Sequence, residues 1–356
     1  MITFILPVYN TGLYLKNCIE SLIMQLQDGM EILLIDDGST DNSPHICDDY
    51  SRQYPELIRV IHQKNAGVSA ARNAGIKAAR TKWLSFIDSD DCVCEDFVKN
   101  YIKIIGGGDP DLILSGYKLV DDLGKTLGVY GPNNSGMLLK NNGEIQDLFF
   151  GISDNLEARG WLCTYIWNKL YRKDIIVDYG ITFDESLGYG EDFIFNAHYY
   201  RYVEKIWLVS EPNYMYYKHG SGATSHFWGG ERALERRKMV YETNLSMANS
   251  LNLGNDYHKV LDRIEAKQIF AMAKWIFGSG KNLPIKEKYE HCVAICEKYC
   301  FSYVLNEYPL DQLDFTQRIL YTMLVKHKYC LFILLGPLFN RLYPFVRKLN
   351  KLIMVK

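Results

Sequence analysis

The chain has 356 residues, of which 48% are hydrophobic and 23% are charged, and its formal net charge at pH 7 is -2. This composition is ordinary for a globular protein and excludes an intrinsically disordered chain. A net charge so close to zero argues against a nucleic-acid-binding protein, and we therefore expect no nucleic-acid partner.

The nine cysteines do not suggest a disulfide framework, because their number is odd and no basic leader region precedes the first apolar run. We predict free thiols in a reducing cytoplasm. Cys292, Cys296 and Cys300 recur every four residues beside His291. This spacing fits a buried apolar stripe on a helix, and it also leaves a metal site open.

Over the first 115 residues, apolar runs of strand length alternate with stretches of helical spacing. Such alternation predicts an α/β fold in which helices flank a mostly parallel central sheet. Ligands bind beyond the carboxyl ends of strands in sheets of this kind. The glycines at 106–108 are interpreted as the turn that ends the third helix. The predicted strands are 2–8, 31–36, 57–61, 83–88 and 111–114, and the predicted helices are 13–23, 70–79 and 95–105.

Residues 116–229 show a different pattern, with many Gly, Asn, Tyr and Trp residues and short apolar segments. From residue 230 the spacing is helical. We predict three parts, namely 1–115 and 116–229 as halves of one domain and 230–356 as a helical C-terminal region. The short apolar segments are 161–171, 206–209 and 214–217, and the predicted C-terminal helices are 233–251, 257–277, 286–300 and 310–330.

Residues 318–356 contain eight Lys or Arg residues and no Asp or Glu. Basic residues interleaved with aromatic and aliphatic ones are typical of a helix in a membrane interface. The alternative is a terminal helix that packs on its own domain. No uncharged apolar run approaches the ~18 residues of a spanning helix. We therefore predict a cytoplasmic protein with a peripheral contact at the inner face of the membrane.

The first two predicted strands end in polar motifs. Pro7-Val8-Tyr9-Asn10 closes the first strand, where Pro7 is expected to end the ladder and to leave Tyr9 free to lie against a flat ligand. Residues 36–41, Asp-Asp-Gly-Ser-Thr-Asp, follow the second strand. A carboxylate there can accept a hydrogen bond from a base or a ribose. For Asp36 and Asp41, an Asx-turn and helix-cap role is the open alternative.

Residues 65–75 join a glycine-bearing loop to a helix of very small residues. Small residues let the backbone approach a ligand closely, and a helix N-terminus favours anions. Arg72, one turn into this helix, could reach a phosphate or a ribose. An Ala-rich packing helix is the alternative.

The fourth motif, Asp88-Ser89-Asp90-Asp91, ends a buried apolar strand. Three carboxylates within four residues repel one another unless a cation or hydrogen-bond donors lie between them. Two carboxylates and diphosphate oxygens form a normal shell for Mn²⁺ or Mg²⁺. A solvated acidic turn is the structural alternative.

Two further motifs lie about a hundred residues later. Glu191 and Asp192 follow a Gly-Tyr-Gly sequence and precede an aromatic helical run. One of these carboxylates could be the base that sugar transfer to a hydroxyl requires, and an acidic first helical turn is the alternative. Residues 218–226 are rich in Gly and Ser and carry a Lys and two His residues. They are interpreted as a loop that could close on a phosphate and a metal, or as a plain surface loop.

Together these motifs resemble those of the family 2 glycosyltransferases, which have the nucleotide-diphospho-sugar transferase (GT-A) fold. The resemblance covers about residues 2 to 225 and follows the order of the family. Its motifs here are Pro-Val-Tyr-Asn, Asp-Asp-Gly-Ser-Thr-Asp, Asn-x-Gly-x-x-x-Ala-Arg-Asn-x-Gly, Asp-Ser-Asp-Asp and Gly-Glu-Asp.

The resemblance implies a nucleotide-sugar donor, a UDP-sugar, bound by residues 1–115. Pro7 and Tyr9 would flank the uracil, and Asp37 would accept a hydrogen bond from its N3. Arg72 would contact the nucleotide, and Asp88 would lie near the ribose or the metal. The implied nucleotide-binding residues are Pro7, Tyr9, Asp37, Asn65, Gly67, Arg72 and Asp88.

The resemblance also implies a divalent cation, Mn²⁺ or Mg²⁺, held chiefly by Asp90. The implied metal residues are Asp90, Asp88 and His219, and the implied diphosphate loop carries Lys218 and Ser221. Asp192 matches the general base, with Glu191 as the alternative assignment. Trp161 and Trp167 would lie on the acceptor side, in the acceptor-binding half at 116–229.

The expected function is therefore inverting transfer of one sugar to a glycan or lipid-linked acceptor in bacterial surface polysaccharide synthesis. The Gln-x-x-Arg-Trp motif of processive synthases does not occur in the sequence. Two alternatives stay open. One is a glycan-binding or nucleotide-sugar-binding protein with a decayed site. The other is a nucleotidyltransferase, although its glycine- and arginine-rich loop with a Lys is absent.

Overall fold

A computed structural model of the chain describes residues 1–139, 145, 165–187, 190–219, 231–250, 255–277, 282–298, 313 and 315–338. The chain divides into two compact units, Met1–Gly222 and Ala223–Lys356. The assignment of residues 1–115 and 116–229 to donor and acceptor halves stays a prediction.

In the described part of the first unit, ten strands form one mixed sheet in the order β3-β2-β1-β4-β9-β6-β10-β5. Strands β3, β2, β1 and β4 are parallel neighbours, and β9 joins them antiparallel to β4. Strand β7 pairs with β6, and β8 pairs with β10. The strands are β1 Ile2–Val8, β2 Glu31–Asp36, β3 Ile58–His62, β4 Trp83–Phe86, β5 Cys92–Val93, β6 Leu112–Val120, β7 Thr126–Tyr130, β8 Gly136–Leu139, β9 Lys169–Arg172 and β10 Lys205–Tyr217.

Helices connect the parallel strands, as the alternating sequence pattern predicts. The apolar face of α1 is buried through Leu15, Cys18, Ile19 and Leu22, which recur at helical spacing. The described helices of this unit are α1 Leu15–Ile23, α2 Ser43–Gln53, α3 Val68–Ala78, α4 Phe97–Gly108, α5 Lys173–Asp178 and α6 Glu191–Tyr200.

Helix α3 packs closely on β1 because its inner face consists of very small residues. A Cβ atom on Gly75 would lie 2.3 Å from Cγ2 of Ile5, so only glycine permits this approach. Ala71 is likewise fully buried. The small residues of the 65–75 motif therefore set the distance between α3 and the sheet, and with it the position of Arg72.

Aromatic side chains join the end of β4 to the helix that carries the acidic pair. Phe86 of β4 makes edge contacts with Tyr171, Phe183 and Phe195, with ring centroids 5.3–5.8 Å apart. Phe183 and Phe195 stack on each other at 4.0 Å. Since Phe195 belongs to α6, this cluster fixes α6 beside the carboxyl end of β4.

Three details of the sequence interpretation are wrong. First, Pro7 does not end the ladder, since the pairing of β1 with β2 runs to Val8 opposite Asp36. The pairing of β1 with β4 ends earlier, at Ile5 opposite Phe86. The glycines at 106–108 lie inside α4, and Asp109 takes the left-handed conformation (φ 41°) that ends the helix.

The third correction concerns the segments 206–209 and 214–217, which form the single strand β10. The register between β10 and β6 shifts on both sides of Pro212. Because proline cannot donate to the ladder, the irregularity lets one strand continue past it.

The described part of the second unit is helical, as predicted. Cys292 and Cys296 lie in its apolar core with Ile269, Phe270 and Leu324. The buried-stripe interpretation is confirmed for these two cysteines, and Cys300 lies outside the described residues. The helices are α7 Glu231–Ser250, α8 Asn255–Lys274 with a 3₁₀ turn Trp275–Phe277, α9 Ile285–Val293 with a π turn Ala294–Lys298, α10 Phe315–Val325, and the helical residues 329–338.

Where the sequence pattern predicts one helix over 310–330, the described chain turns after α10. His327 takes a left-handed conformation (φ 55°), and a new helix begins at Tyr329. Among the described helices, none is long and apolar enough to cross a membrane.

Candidate active site

The predicted donor-site motifs gather at the carboxyl ends of β1, β2 and β4. The first two loops are tied together by Asn10, whose side-chain oxygen accepts a hydrogen bond from the backbone N–H of Thr40 (2.8 Å). Asp41 accepts hydrogen bonds from the N–H groups of Gly12 (2.9 Å) and Ser43 (2.9 Å). The loops after β1 and β2 therefore form one connected edge.

Asp37 is 2% exposed and organises the loop that precedes α3. Its Oδ1 accepts hydrogen bonds from the N–H of Ala66 (2.9 Å) and the amide of Gln63 (2.7 Å), and its Oδ2 accepts one from the N–H of Gly67 (2.8 Å). A carboxylate offers about four acceptor positions. One position on Oδ2 is left for a ligand such as a base N–H.

Both Asp36 and Asp41 make hydrogen bonds within the protein, and the Asx-turn alternative is confirmed for Asp41. Asp36 accepts a hydrogen bond from the N–H of Ser39 (3.1 Å) and contacts Nδ1 of His62 (2.8 Å). The bond from Ser43 to Asp41 is an Asx-turn at the start of α2.

The centre of the site is Arg72, which is 3% exposed. Its Nη1 donates to Oε1 of Glu191 (3.0 Å) and Oδ1 of Asp192 (2.7 Å), and its Nη2 donates to Oδ1 of Asp88 (3.2 Å). The sequence motifs around residues 72, 88 and 191 therefore converge in space. Three carboxylates surround one guanidinium, so this cluster carries excess negative charge.

Burial and like charge shift the pKa values of this cluster. Burial raises the pKa of Asp192, and Glu191 and Asp88 raise it further, while Arg72 opposes the shift. Burial also raises the pKa of Asp88, again against the effect of Arg72. The pKa of Arg72 is raised because its three carboxylate neighbours outweigh its burial. Arg72 therefore stays charged, and Asp192 is a stronger base than an exposed aspartate.

The neighbours Asp90 and Asp91 have different environments. Asp91 is 2% exposed and accepts hydrogen bonds from the hydroxyl of Tyr214 (2.8 Å) and the N–H of Tyr217 (2.7 Å). Burial raises its pKa well above the ordinary value. The carboxylate of Asp90 is partly exposed and has no hydrogen-bond partner within the described ranges. Asp91 therefore ties the motif to β10, and Asp90 is available to a ligand.

His219 lies beside the acidic motif. Its Nε2 is 3.1 Å from the backbone oxygen of Asp90, and its Nδ1 is 2.7 Å from Oδ1 of Asp122. Its ring lies 4.1 Å from that of Tyr14. Both nitrogens are thus engaged within the protein, and binding a cation would require one of them to exchange its partner.

The other predicted site residues differ in accessibility. Tyr9 is half exposed, whereas Pro7 is buried within β1. Trp167 is 2% exposed and stacks between Tyr165 (4.6 Å) and Tyr214 (4.4 Å), so it lies in the aromatic core. Asn65, Gly67 and Lys218 are exposed, and Trp161 and Ser221 lie outside the described residues.

Comparisons with known proteins identify the family of the chain. A family model described as Glycosyl transferase family 2 matches residues 3–180, half of the chain. The chain is 28% identical over 313 residues to EpsH of Bacillus subtilis (strain 168), covering 86% of each protein. It is 31% identical over 225 residues to the minor teichoic acid biosynthesis protein GgaA of the same strain, covering 61% of this chain and 47% of GgaA.

The chain belongs to glycosyl transferase family 2.

A solved structure shows the fold of this family 2 chain. The crystal structure of S. aureus TarS 1-349 in complex with UDP-GlcNAc matches with a TM-score of 0.68 at 18% identity. The match covers 96% of this chain and 91% of that one. The predicted GT-A fold, a mixed sheet flanked by helices and followed by C-terminal helices, is confirmed.

Family 2 glycosyltransferases commonly use a divalent metal ion. The partly exposed, unpartnered carboxylate of Asp90 and the excess negative charge around Asp88 fit a hard cation with oxygen ligands. Among the described residues, no three His, Cys, Asp or Glu side chains are grouped to hold a metal ion. Oxygen ligands from a diphosphate would therefore have to complete the shell that Asp88 and Asp90 begin.

Sequence reasoning missed the role of Asn73. Its side chain donates to the backbone oxygen of Phe183 (2.9 Å) and accepts from the N–H of Phe183 (2.9 Å). The ring of Phe183 in turn lies against the guanidinium of Arg72, with Cζ 5.3 Å from the ring centroid. Asn73 belongs to the quoted Ala-Arg-Asn motif, but its partner is 110 residues away, so only the fold reveals it.

Proposed function

We propose that this family 2 chain is an inverting, metal-dependent glycosyltransferase that transfers one sugar from a nucleotide donor, a UDP-sugar, to a glycan or lipid-linked acceptor. The observation that carries the proposal is the convergence of Asp88, Glu191 and Asp192 on Arg72 next to the open carboxylate of Asp90. We propose that this transfer takes place in bacterial surface polysaccharide synthesis. The likeness to GgaA, which is named for teichoic acid biosynthesis, supports this role.

The donor would bind at the edge formed by the loops after β1, β2 and β3. The half-exposed ring of Tyr9 offers a face to the base, and the remaining acceptor position of Asp37 suits the N3–H of uracil. Asn65 and Gly67 are exposed in the loop that precedes α3. TarS, a protein of the same fold, is known in complex with UDP-GlcNAc and with UDP, which supports a UDP-sugar donor.

The proposed chemistry is a single displacement. Asp192 accepts the proton of the acceptor hydroxyl while that oxygen forms a bond to C1 of the sugar. The bond from C1 to the diphosphate breaks on the opposite face, so the anomeric configuration inverts. Burial raises the pKa of Asp192 to about 8, near neutral pH, where a general base is most effective.

The departing diphosphate needs positive charge nearby. Asp90 and Asp88 would hold Mn²⁺ or Mg²⁺ for this purpose, and such an ion supplies electrostatic stabilisation of the leaving group when bound. Lys218 and Ser221 belong to the segment proposed to meet the diphosphate. His219 holds the backbone of Asp90 and packs on Tyr14, so it would orient Asp90 or bind the ion after releasing a partner.

We also propose a peripheral contact of the chain with the inner face of the cell membrane, where lipid-linked acceptors occur. Two features support this location, the basic composition of residues 318–356 and an exposed apolar stripe on the helix at 329–338. Trp161 and Trp167 stay candidates for the acceptor side. Trp167 itself is buried, but its stacking partners Tyr165 and Tyr216 are partly exposed.

Asp192→Asn tests the proposed base. This substitution preserves the shape of the side chain and removes its basicity, so sugar transfer should fall by ~10²–10⁴-fold while UDP affinity stays unchanged. Transfer is measured with a panel of UDP-sugars chosen by thermal stabilisation in Mn²⁺, and UDP affinity is measured by calorimetry. The matched control is Asp178→Asn on the exposed end of α5, which should transfer normally. Normal transfer by Asp192→Asn would remove Asp192 from this role.

A further inference from the structure

Arg72 connects two parts of the site that are far apart in sequence. Asp88, which follows β4, is 16 residues from Arg72, whereas Glu191 and Asp192 on α6 are 119 and 120 residues away. The side chain of Arg72 is only 4% exposed, and it reaches both parts with hydrogen bonds of 2.7–3.2 Å. Arg72 thus hydrogen-bonds both to Asp88 on the proposed metal side and to the proposed base Asp192.

Most donors of Arg72 are directed at protein. The two N–H bonds of Nη1 serve Glu191 and Asp192, and one N–H of Nη2 serves Asp88. The Nε atom is buried without a hydrogen-bond partner among the described residues. A guanidinium has five donors in a fixed fork. Two N–H groups remain, and since Nε is buried, the one on Nη2 is left for a nucleotide.

Packing fixes the plane of the guanidinium. Arg72 lies over the ring of Phe183, and that ring stacks on Phe195 of α6. Asn73 holds the backbone of Phe183 through two hydrogen bonds. Arg72 therefore has one orientation, set by α3 on one side and by the aromatic cluster on the other.

We infer that Arg72 is a positioning residue, which holds the carboxylate of Asp192 in one place relative to Asp88 and the donor. The inference rests on the proposed role of Asp192 as the base. Glu191 accepts a second hydrogen bond from Nη1, beside the one that Asp192 accepts. This second bond prevents the guanidinium from rotating. A base shifted by about 1 Å would lose about 10²-fold in rate without weakening donor binding.

Arg72→Lys tests this inference, because lysine keeps the positive charge but lacks the planar guanidinium that donates to three carboxylates. We expect kcat to fall about 10- to 100-fold, with the donor KM and the UDP affinity within about twofold of the wild-type values. Arg52→Lys, an exposed substitution on α2, is the matched control and should change neither. Thermal unfolding and UDP calorimetry check that each variant is folded.

A double-mutant cycle separates positioning from nucleotide binding. If Arg72 acts through Asp192, then Arg72→Lys should cause no further loss in an Asp192→Asn background, measured as residual transfer over long incubations. If Arg72 acts on the nucleotide, UDP affinity should fall and the two losses should multiply, which would overturn the inference.

Two outcomes distinguish this inference from the proposed function. An inactive Asp192→Asn variant together with a fully active Arg72→Lys variant would overturn positioning alone. A fully active Asp192→Asn variant would remove the base itself, and the inference with it. Where Arg72→Lys does not fold, Phe183→Leu takes its place, since it removes the ring beneath the guanidinium at similar volume and should lower kcat with unchanged UDP affinity.

Discussion

Adjacent residues of the same type have different roles in the acidic motif after β4. Asp88 contacts Arg72, Asp90 is open to a ligand, and Asp91 is buried against Tyr214 and Tyr217. Residue type and spacing alone do not distinguish these three carboxylates, and only the family resemblance assigns Asp88 and Asp90 separate roles. Their burial and their hydrogen-bond partners distinguish them in the folded chain.

Asp90→Ala and Asp91→Ala should therefore fail in different ways. Asp90→Ala should lose the Mn²⁺-dependent part of UDP affinity and keep its stability, because no protein contact is removed. Asp91→Ala should lower the free energy of unfolding by about 1–3 kcal/mol, because the Tyr214 hydroxyl and the Tyr217 N–H lose a buried acceptor. Calorimetry with UDP and Mn²⁺ and urea unfolding measure the two effects. Unchanged UDP and Mn²⁺ binding by Asp90→Ala would refute the metal assignment.

The sequence could indicate which residues gather in the site, but not what each one contacts. Parallel strands bring their carboxyl ends to one edge, so the motifs at Asp37 and Asp88 had to be neighbours. The hydrogen bonds of Arg72 to α6 and of Asn73 to Phe183 span more than a hundred residues. Local periodicity contains no information about such pairs, so these contacts were not predictable from one sequence.

At the scale of elements, the bounds of a strand were predicted correctly where a buried apolar run had polar residues at its ends. Strands β1 and β2 have the predicted bounds, because each is buried along its whole length and stops at a polar loop. It failed at α4, where the glycine run was interpreted as a turn and the helix continues to Gly108. Helix formation through these weak residues is a tertiary effect that propensity does not capture.

Two glycine substitutions test how α3 is placed. Gly75→Ala should destabilise the protein by about 1–3 kcal/mol, because the new Cβ would lie 2.3 Å from Ile5 and push α3 off β1. Gly107→Ala in α4 is the matched control, since its Cβ would meet no atom within 4 Å. That change should stabilise the protein by about 0.4–1 kcal/mol through the unfolded state. Urea unfolding measures both, and equal effects of the same sign would contradict the packing account.

At the scale of the whole molecule, charge is unevenly distributed along the chain. The protein has 40 basic and 42 acidic side chains, and eight of the basic ones and none of the acidic ones fall in residues 318–356. The helix at 329–338 has two apolar faces. Tyr329, Phe332 and Ile333 are buried, whereas Leu331, Leu334 and Leu338 are 47%, 66% and 55% exposed. The exposed leucines recur at i, i+3 and i+7, so they form one stripe.

This exposed leucine stripe, in a region of one-signed charge, should bind anionic lipid. We expect the full chain to sediment with vesicles that contain phosphatidylglycerol, and to be released as salt screens the basic residues. Combining Leu331→Ser, Leu334→Ser and Leu338→Ser should weaken vesicle binding by about tenfold or more, since apolar burial contributes about 25 cal/mol per Å².

The matched control places serine at three exposed apolar positions of the first unit, Leu123, Leu127 and Val129. This control should bind vesicles as the wild type does, because the residues it changes are far in sequence from the basic region. Equal binding by the wild type and the stripe variant would exclude the stripe as the contact. If the chain sediments equally well with neutral vesicles, the basic residues have no role in the contact, because only an anionic surface attracts them electrostatically.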